Sequence, residues 1–137
     1  MFKLSRRSYD RLTGVDQRLI YLCDEAIKIT PIDFGIAYLG GRRTAEQQHE
    51  LFDEGRSTKD GFVKLSKHQS GKAFDVIPFV NGRVVENPWN YAMIISAILI
   101  KAKEFELDIR SGTDWDGDGE FLTDQTFQDY GHIELMI

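Results

Sequence analysis

Residues 66–75 have the sequence SKHQSGKAFD, which places His68 and Asp75 seven residues apart at the boundary between a polar loop and an apolar strand. A second stretch, residues 129–135, has the sequence DYGHIEL, in which Asp129 precedes His132 by three residues. Imidazole and carboxylate groups are common metal ligands in proteins. The two stretches therefore predict two halves of one metal site, which the fold must bring together.

The kinds of donor favour zinc at such a site. Two histidines and one carboxylate leave a tetrahedral Zn²⁺ with an open fourth position, as in catalytic zinc sites. Cys23 is the one cysteine in the sequence, so a thiolate-rich structural site and a disulfide framework are both excluded. Alternatives stay open for the single residues. A lone histidine is more often a surface or core residue, and a buried Asp75 can instead pair with an arginine or backbone N–H groups.

The pattern of apolar residues predicts an α+β fold. Helical spacing predicts helices over 16–30, from Thr44 to Glu54, and from Pro88 to Phe105. Asp16 and Asn87 are the expected caps of the first and third of these helices, and Thr44 with Gln47 fits a capping box at the start of the second. Alternation and turn residues predict strands at Phe34–Leu39, Ala73–Val80, Arg83–Val85, Leu107–Ser111 and His132–Leu135. Because Asn81-Gly82 indicates a hairpin, the sheet is expected to be small and largely antiparallel, packed on helices, with the zinc site in a cleft on the sheet.

Length and charge limit the classes of function. The 137 residues, 42% of them hydrophobic, predict one domain over residues 1–137. The 17 basic and 22 acidic residues give a net charge of −5, so no global positive field favours nucleic acid. The apolar run 92–100 is much shorter than the roughly 20 residues of a membrane span. The N-terminus lacks the pattern of a secretory signal, so we expect the protein to be cytosolic at first. We also expect a monomer.

An acidic segment, residues 114–119, has the sequence DWDGDG. It matches the first six positions of a calcium loop, with oxygen donors from Asp114, Asp116 and Asp118 and a glycine at the sixth position. The match weakens at the twelfth position, where Gln125 replaces the bidentate glutamate of an EF-hand. A calcium site and an ordinary Asp-Gly turn both remain open.

Three further positions are candidates for supporting a site. Arg43 precedes the predicted N-terminus of the second helix, where a guanidinium and free N–H groups together favour an anion, but spacing does not distinguish it from Arg42. Glu134 shares a strand face with His132, so it either supports this histidine or is a solvated carboxylate. Ser66 lies on the loop that leads to His68 and is a candidate for contact with substrate or with the ligands.

Together, these motifs resemble a known family. Residues 41–44 (GRRT), 66–75, 114–119 and 129–135 resemble, in this order, the VanX/VanY-type zinc D-alanyl-D-alanine peptidases, and look most similar to tailed-phage L-alanyl-D-glutamate endolysins. The resemblance spans nearly the whole chain and implies a hedgehog/D-Ala-D-Ala peptidase-like fold. It implies His68, Asp75 and His132 as zinc ligands. It also implies Asp129 as the base, where VanX-type relatives have glutamate, and Arg43 as a clamp on substrate or transition state.

The resemblance also implies a function. We expect zinc-dependent hydrolysis of the peptidoglycan stem peptide at the L-alanyl-D-glutamate bond, during lysis of a phage host, after a membrane lesion gives access to the wall. No separate wall-binding domain is expected. The alternatives are a D-alanyl-D-alanine carboxypeptidase or dipeptidase, since the zinc motifs do not encode the bond, and a non-catalytic wall-binding domain that holds zinc or calcium. An intact Asp129 argues against the last alternative.

Overall fold

The structure, a computed structural model, describes residues 1–112 and 129–136. In chain order its elements are α1 (Arg6–Arg11), α2 (Gln17–Ala26), β1 (Asp33–Ile36), α3 (Ala45–Asp53), β2 (Ala73–Val80), β3 (Arg83–Val84), α4 (Pro88–Glu104), β4 (Ile109–Ser111) and β5 (His132–Leu135). This arrangement confirms the predicted α+β class. The predicted calcium loop with Asp114, Asp116 and Asp118 lies outside the described residues.

The strands form one sheet in the order β1-β2-β5-β4, and β3 pairs with the far end of β2. Every pairing in the described part of the chain is antiparallel. Strand β2 is central, and its pairing with β5 sets Asp75 directly opposite His132. The register of this pair therefore joins the two predicted halves of the metal site.

Side chains of the helix caps define where the helices begin. Asp16 accepts a hydrogen bond from the backbone N–H of Arg18 at the start of α2. Thr44 and Gln47 form the predicted capping box of α3, and Asn87 caps α4 before Pro88. These local contacts satisfy backbone donors that have no partner within the helix.

Three strands are shorter than the sequence predicts, and β3 differs by a single residue, since it ends at Val84. Strand β1 ends at Ile36, because the N–H of Gly40 donates to the carbonyl of Ala37 and closes a turn. Strand β4 begins only at Ile109, because the N–H of Leu107 still donates to the carbonyl of Ala102 at the end of α4. In β1 and β4, therefore, a turn at one end shortens a strand whose existence was correctly predicted.

The hydrophobic core lies between the helices and one face of the sheet. Most of its fully buried side chains come from α2, α4, β1, β2 and β5, and they include Leu19, Leu22, Phe34, Phe74, Ile94, Ile95, Ile98 and Ile133. Because side chains alternate along a strand, Asp75 on β2 and His132 on β5 point to the opposite face. The cleft therefore lies on the face of the sheet away from the core. Within residues 1–112 and 129–136, no helix has the length and apolar character needed to cross a bilayer.

Candidate metal centre

His68, Asp75 and His132 converge on this open face of the sheet. One donor atom of each residue lies within 4.8 Å of the donor atoms of the other two. His68 Nε2 is 3.2 Å from Asp75 Oδ1, and His132 Nδ1 is 3.1 Å from the same oxygen. Both histidines are buried. Three converging donors of this kind can hold a metal ion.

The second nitrogen of each imidazole is held by a hydrogen-bond acceptor. His68 Nδ1 lies 2.8 Å from the carbonyl oxygen of Gly41, and His132 Nε2 lies 2.9 Å from Glu134 Oε1. A neutral imidazole that donates from one nitrogen keeps a lone pair on the other, so these contacts leave His68 Nε2 and His132 Nδ1 as ligand atoms. Only glycine fits at position 41, since a Cβ there would lie 1.8 Å from the carbonyl oxygen of Arg11.

Glu134 is itself held by two cations. Its Oε2 lies 3.0 Å from Arg110 Nη2 and 3.4 Å from Lys67 Nζ. Burial alone would raise the pKa of Glu134, but the hydrogen bond with His132, the charge of this histidine when it is protonated, and the charges of Arg110 and Lys67 lower this pKa to about 2. The carboxylate is therefore ionised at neutral pH and can orient His132. Of the two roles that the strand pattern left open for Glu134, these contacts favour support of His132 over a solvated carboxylate.

Arg43 holds the other oxygen of Asp75. Its Nη2 donates to Asp75 Oδ2 at 3.0 Å, and its Nε donates to the carbonyl oxygen of Leu39 at 2.7 Å. Arg42 instead has its Nε 3.5 Å from the carbonyl oxygen of Gln69, at the surface. The structure thus places Arg43 rather than Arg42 at the site. The contact of its guanidinium is with a candidate ligand, and its role as a clamp on substrate stays a prediction.

Gln48, which no pattern in the sequence had singled out, is fully buried on α3. Its Oε1 accepts a hydrogen bond from Arg43 Nη1 at 2.9 Å. Its Nε2 donates to Ser57 Oγ at 2.8 Å and to the carbonyl oxygen of Lys59 at 2.9 Å. Gln48 therefore connects the arginine that holds Asp75 to the loop 56–67. The available signal was a polar residue three positions before the buried Leu51, on the inner face of a helix.

Asp129 lies beside the metal site without joining the ligand cluster. Its Oδ2 is 4.0 Å from His132 Nδ1, and its side chain is 46% exposed. Partial burial and the nearby charge of Asp75 raise the pKa of Asp129. The turn that positions it requires Gly131, because a Cβ there would lie 2.4 Å from the carbonyl oxygen of Val76. The carboxylate of Asp129, which the family resemblance implies as the base, thus lies beside the candidate ligand His132.

A cavity of about 690 Å³ opens over these residues. Its walls include the metal-site residues, Arg43 and Asp129, and also Tyr91 and much of the loop 56–67. Ser66 lines this cavity, and its hydroxyl accepts the backbone N–H of His68 at 3.2 Å. The observed contact of Ser66 is therefore with the segment that carries a candidate ligand.

Comparison with known proteins gives consistent results. A family model described as phage L-alanyl-D-glutamate peptidase matches residues 1–136. The L-alanyl-D-glutamate peptidase of Escherichia phage T5 is 30% identical over 144 residues, which cover 98% of each chain. The crystal structure of the Serratia marcescens L-Ala D-Glu endopeptidase ChiX is similar with a TM-score of 0.81 and 25% identity, over 98% of this chain and 90% of that one.

Proposed function

Because the chain belongs to the phage L-alanyl-D-glutamate peptidase family, we propose that it hydrolyses this bond in the cavity described above, with one zinc ion held by His68, Asp75 and His132. The activity is that of an endolysin-type peptidase, and its substrate is bacterial peptidoglycan. The observation that carries the site assignment is the convergence of two imidazoles and a carboxylate in the wall of this cavity.

The donor set supports zinc over a harder cation. Calcium and magnesium favour sites made of oxygen ligands, whereas imidazole nitrogens with one carboxylate are typical of catalytic zinc. Each ligand also has an outer partner, namely Gly41 for His68, Arg43 for Asp75 and Glu134 for His132. Such partners fix the orientation of the ligands and are a general feature of metal centres in proteins.

A zinc ion held by His68, Asp75 and His132 would supply Lewis-acid polarisation of the scissile carbonyl and would lower the pKa of the attacking water. Asp129 accepts the proton of this water, since its half-exposed carboxylate borders the cavity beside His132. It then returns the proton to the leaving amine of the glutamyl residue. Arg43 keeps Asp75 in place, and three of its five N–H groups are engaged in protein contacts. The other two can stabilise negative charge that develops on substrate.

Digestion of cell walls tests the activity directly. The purified protein is expected to reduce the turbidity of outer-membrane-stripped Gram-negative cells, and mass spectrometry of the products should show peptides with a new glutamyl N-terminus. Release of free D-alanine instead would favour the carboxypeptidase alternative. Binding to walls without any cleaved bond would favour the non-catalytic alternative.

We also propose that Asp114, Asp116 and Asp118 bind a regulatory calcium ion, on the sequence pattern alone. The segment precedes Asp129 and His132 in the chain, so ordering it would favour the competent cavity. Titration of Ca²⁺ into zinc-loaded protein should change the fluorescence of Trp115 and raise activity in parallel. Asp116→Ala with Asp118→Ala should remove both responses and leave the zinc content unchanged. A flat titration at millimolar Ca²⁺ would contradict this proposal.

A further inference from the structure

One wall of the cavity is formed by the loop 56–67, which contributes the three cations Arg56, Lys59 and Lys67 to the lining. This loop follows α3 and contains no helix or strand. The buried Gln48 fixes it through Ser57 and the carbonyl oxygen of Lys59. The positive side chains of Arg56 and Lys59 therefore extend from a segment that Gln48 connects to Arg43 in the metal site.

The other cations of the cavity are engaged by protein carboxylates. Arg43 pairs with Asp75, and both Lys67 and Arg110 pair with Glu134. These pairs hold the ligands and their supports in place. They leave Arg56 and Lys59 as the lining cations without a partner in the metal site.

The acids next to Arg56 and Lys59 in the chain do not neutralise these two cations. Arg56 contacts Glu54 at 3.4 Å, and both side chains of that pair are about half exposed or more, so solvent screens it. No ion pair forms to Lys59 within residues 1–112 and 129–136. Asp60, in the same loop, accepts the backbone N–H groups of residues 62–64 through one oxygen, and these contacts lower its pKa. In a chain of net charge −5, this wall is a local positive surface.

The chemistry of the substrate favours such a surface. A glutamyl residue whose amine forms the scissile bond carries two carboxyl groups, and continuation of the peptide uses at most one of them. At least one carboxylate thus remains within a few bonds of the scissile nitrogen and enters the cavity with it. Removing this charge from water is unfavourable unless a cation or several donors receive it.

We propose that Arg56 and Lys59 form the subsite that binds the free carboxylate of the D-glutamyl residue, and so select glutamate after the scissile bond. This inference rests on the proposed function. Arg56 and Lys59 would recognise the part of the substrate that carries the leaving amine.

Two matched substrates test the subsite. One is an acyl-L-alanyl-D-glutamyl peptide with its free carboxylate, and the other carries an amide in place of that carboxylate. The wild-type protein is expected to prefer the carboxylate by about 10-fold or more in kcat/KM, mainly through KM. The double variant Arg56→Gln, Lys59→Gln should lose this preference, while its rate on the amide substrate stays within a few-fold of the wild-type rate.

The loop itself provides the control. Lys64→Gln removes the same charge from an exposed position of this loop that does not line the cavity, and it should keep the wild-type preference. The conservative pair Arg56→Lys, Lys59→Arg should also keep it, which separates loss of charge from damage to the loop. Added salt should reduce the preference of the wild type, because both cations are exposed.

Two results would overturn the subsite and leave the peptidase activity standing. These are equal cleavage of the two substrates by the wild type, and an undiminished preference in the Arg56→Gln, Lys59→Gln variant. Failure of the wild type to cleave either substrate would instead overturn the proposed function, and this inference with it.

Discussion

Replacing His68, Asp75 or His132 by alanine is expected to release the metal and reduce hydrolysis to the background rate. Within residues 1–112 and 129–136, these three donors form the cluster that would hold the proposed zinc ion. Loss of an outer partner alone typically weakens metal binding or activity about 10- to 100-fold, and loss of a ligand should exceed this range. The wild type should bind one zinc per chain. Elemental analysis of each dialysed variant, together with its activity on cell walls, measures both effects.

His49→Ala is the matched control for these three variants. His49 Nδ1 lies 2.9 Å from the carbonyl oxygen of Asp60, its Nε2 lies 3.5 Å from Asp53, and its ring contacts that of Phe62. It is absent from the ligand cluster found among the described residues. The variant should therefore keep its zinc and its activity. A loss of zinc equal to that of His68→Ala would mean that the ligands are assigned wrongly.

Asp129→Ala should keep its zinc and lose turnover by about 10²- to 10⁴-fold, the usual contribution of a general base. The effect should appear in kcat, because Asp129 lies beside the ligands and is outside their cluster. Zinc analysis and steady-state kinetics on a defined L-alanyl-D-glutamyl peptide separate these two quantities.

Asp108→Ala provides the comparison for Asp129→Ala, since it removes a surface carboxylate outside the cavity lining and should leave kcat unchanged. If Asp129→Ala retained activity within a few-fold of the wild type, the base assignment would be wrong. Release of zinc from this variant would show that Asp129 serves the metal instead of the proton transfer.

The features predicted correctly from sequence are those set by short-range chemistry. The caps Asp16, Thr44 and Asn87 form within one helical turn, and their residue types reveal them directly. The pairing of His68 with Asp75 also depends on a short segment. Alternation along β5 correctly placed His132 and Glu134 on one face and the core residues on the other.

The features that sequence could not supply depend on how distant elements meet. Nothing near Arg43 in the chain distinguishes it from Arg42, and its contact with Asp75 spans 32 positions. The anchoring of the loop 56–67 by Gln48 likewise depends on how α3 packs against the loop. That Arg56 and Lys59 make no ion pair with the metal-site carboxylates became recognisable only when the partners of the other cations were known.

The register that sets Asp75 opposite His132 also determines when the site can form during folding. The segment from His68 to Asp75 closes a short loop, whereas contact with His132 closes one of 57 residues. The entropic cost of that closure is on the order of 3–4 kcal/mol, so this high-contact-order step is expected to be slow and late. Until β5 pairs with β2, a nascent chain holds two of its three ligands. Zinc uptake should therefore follow the pairing of β5 with β2, and its rate would measure how fast the tertiary fold is completed.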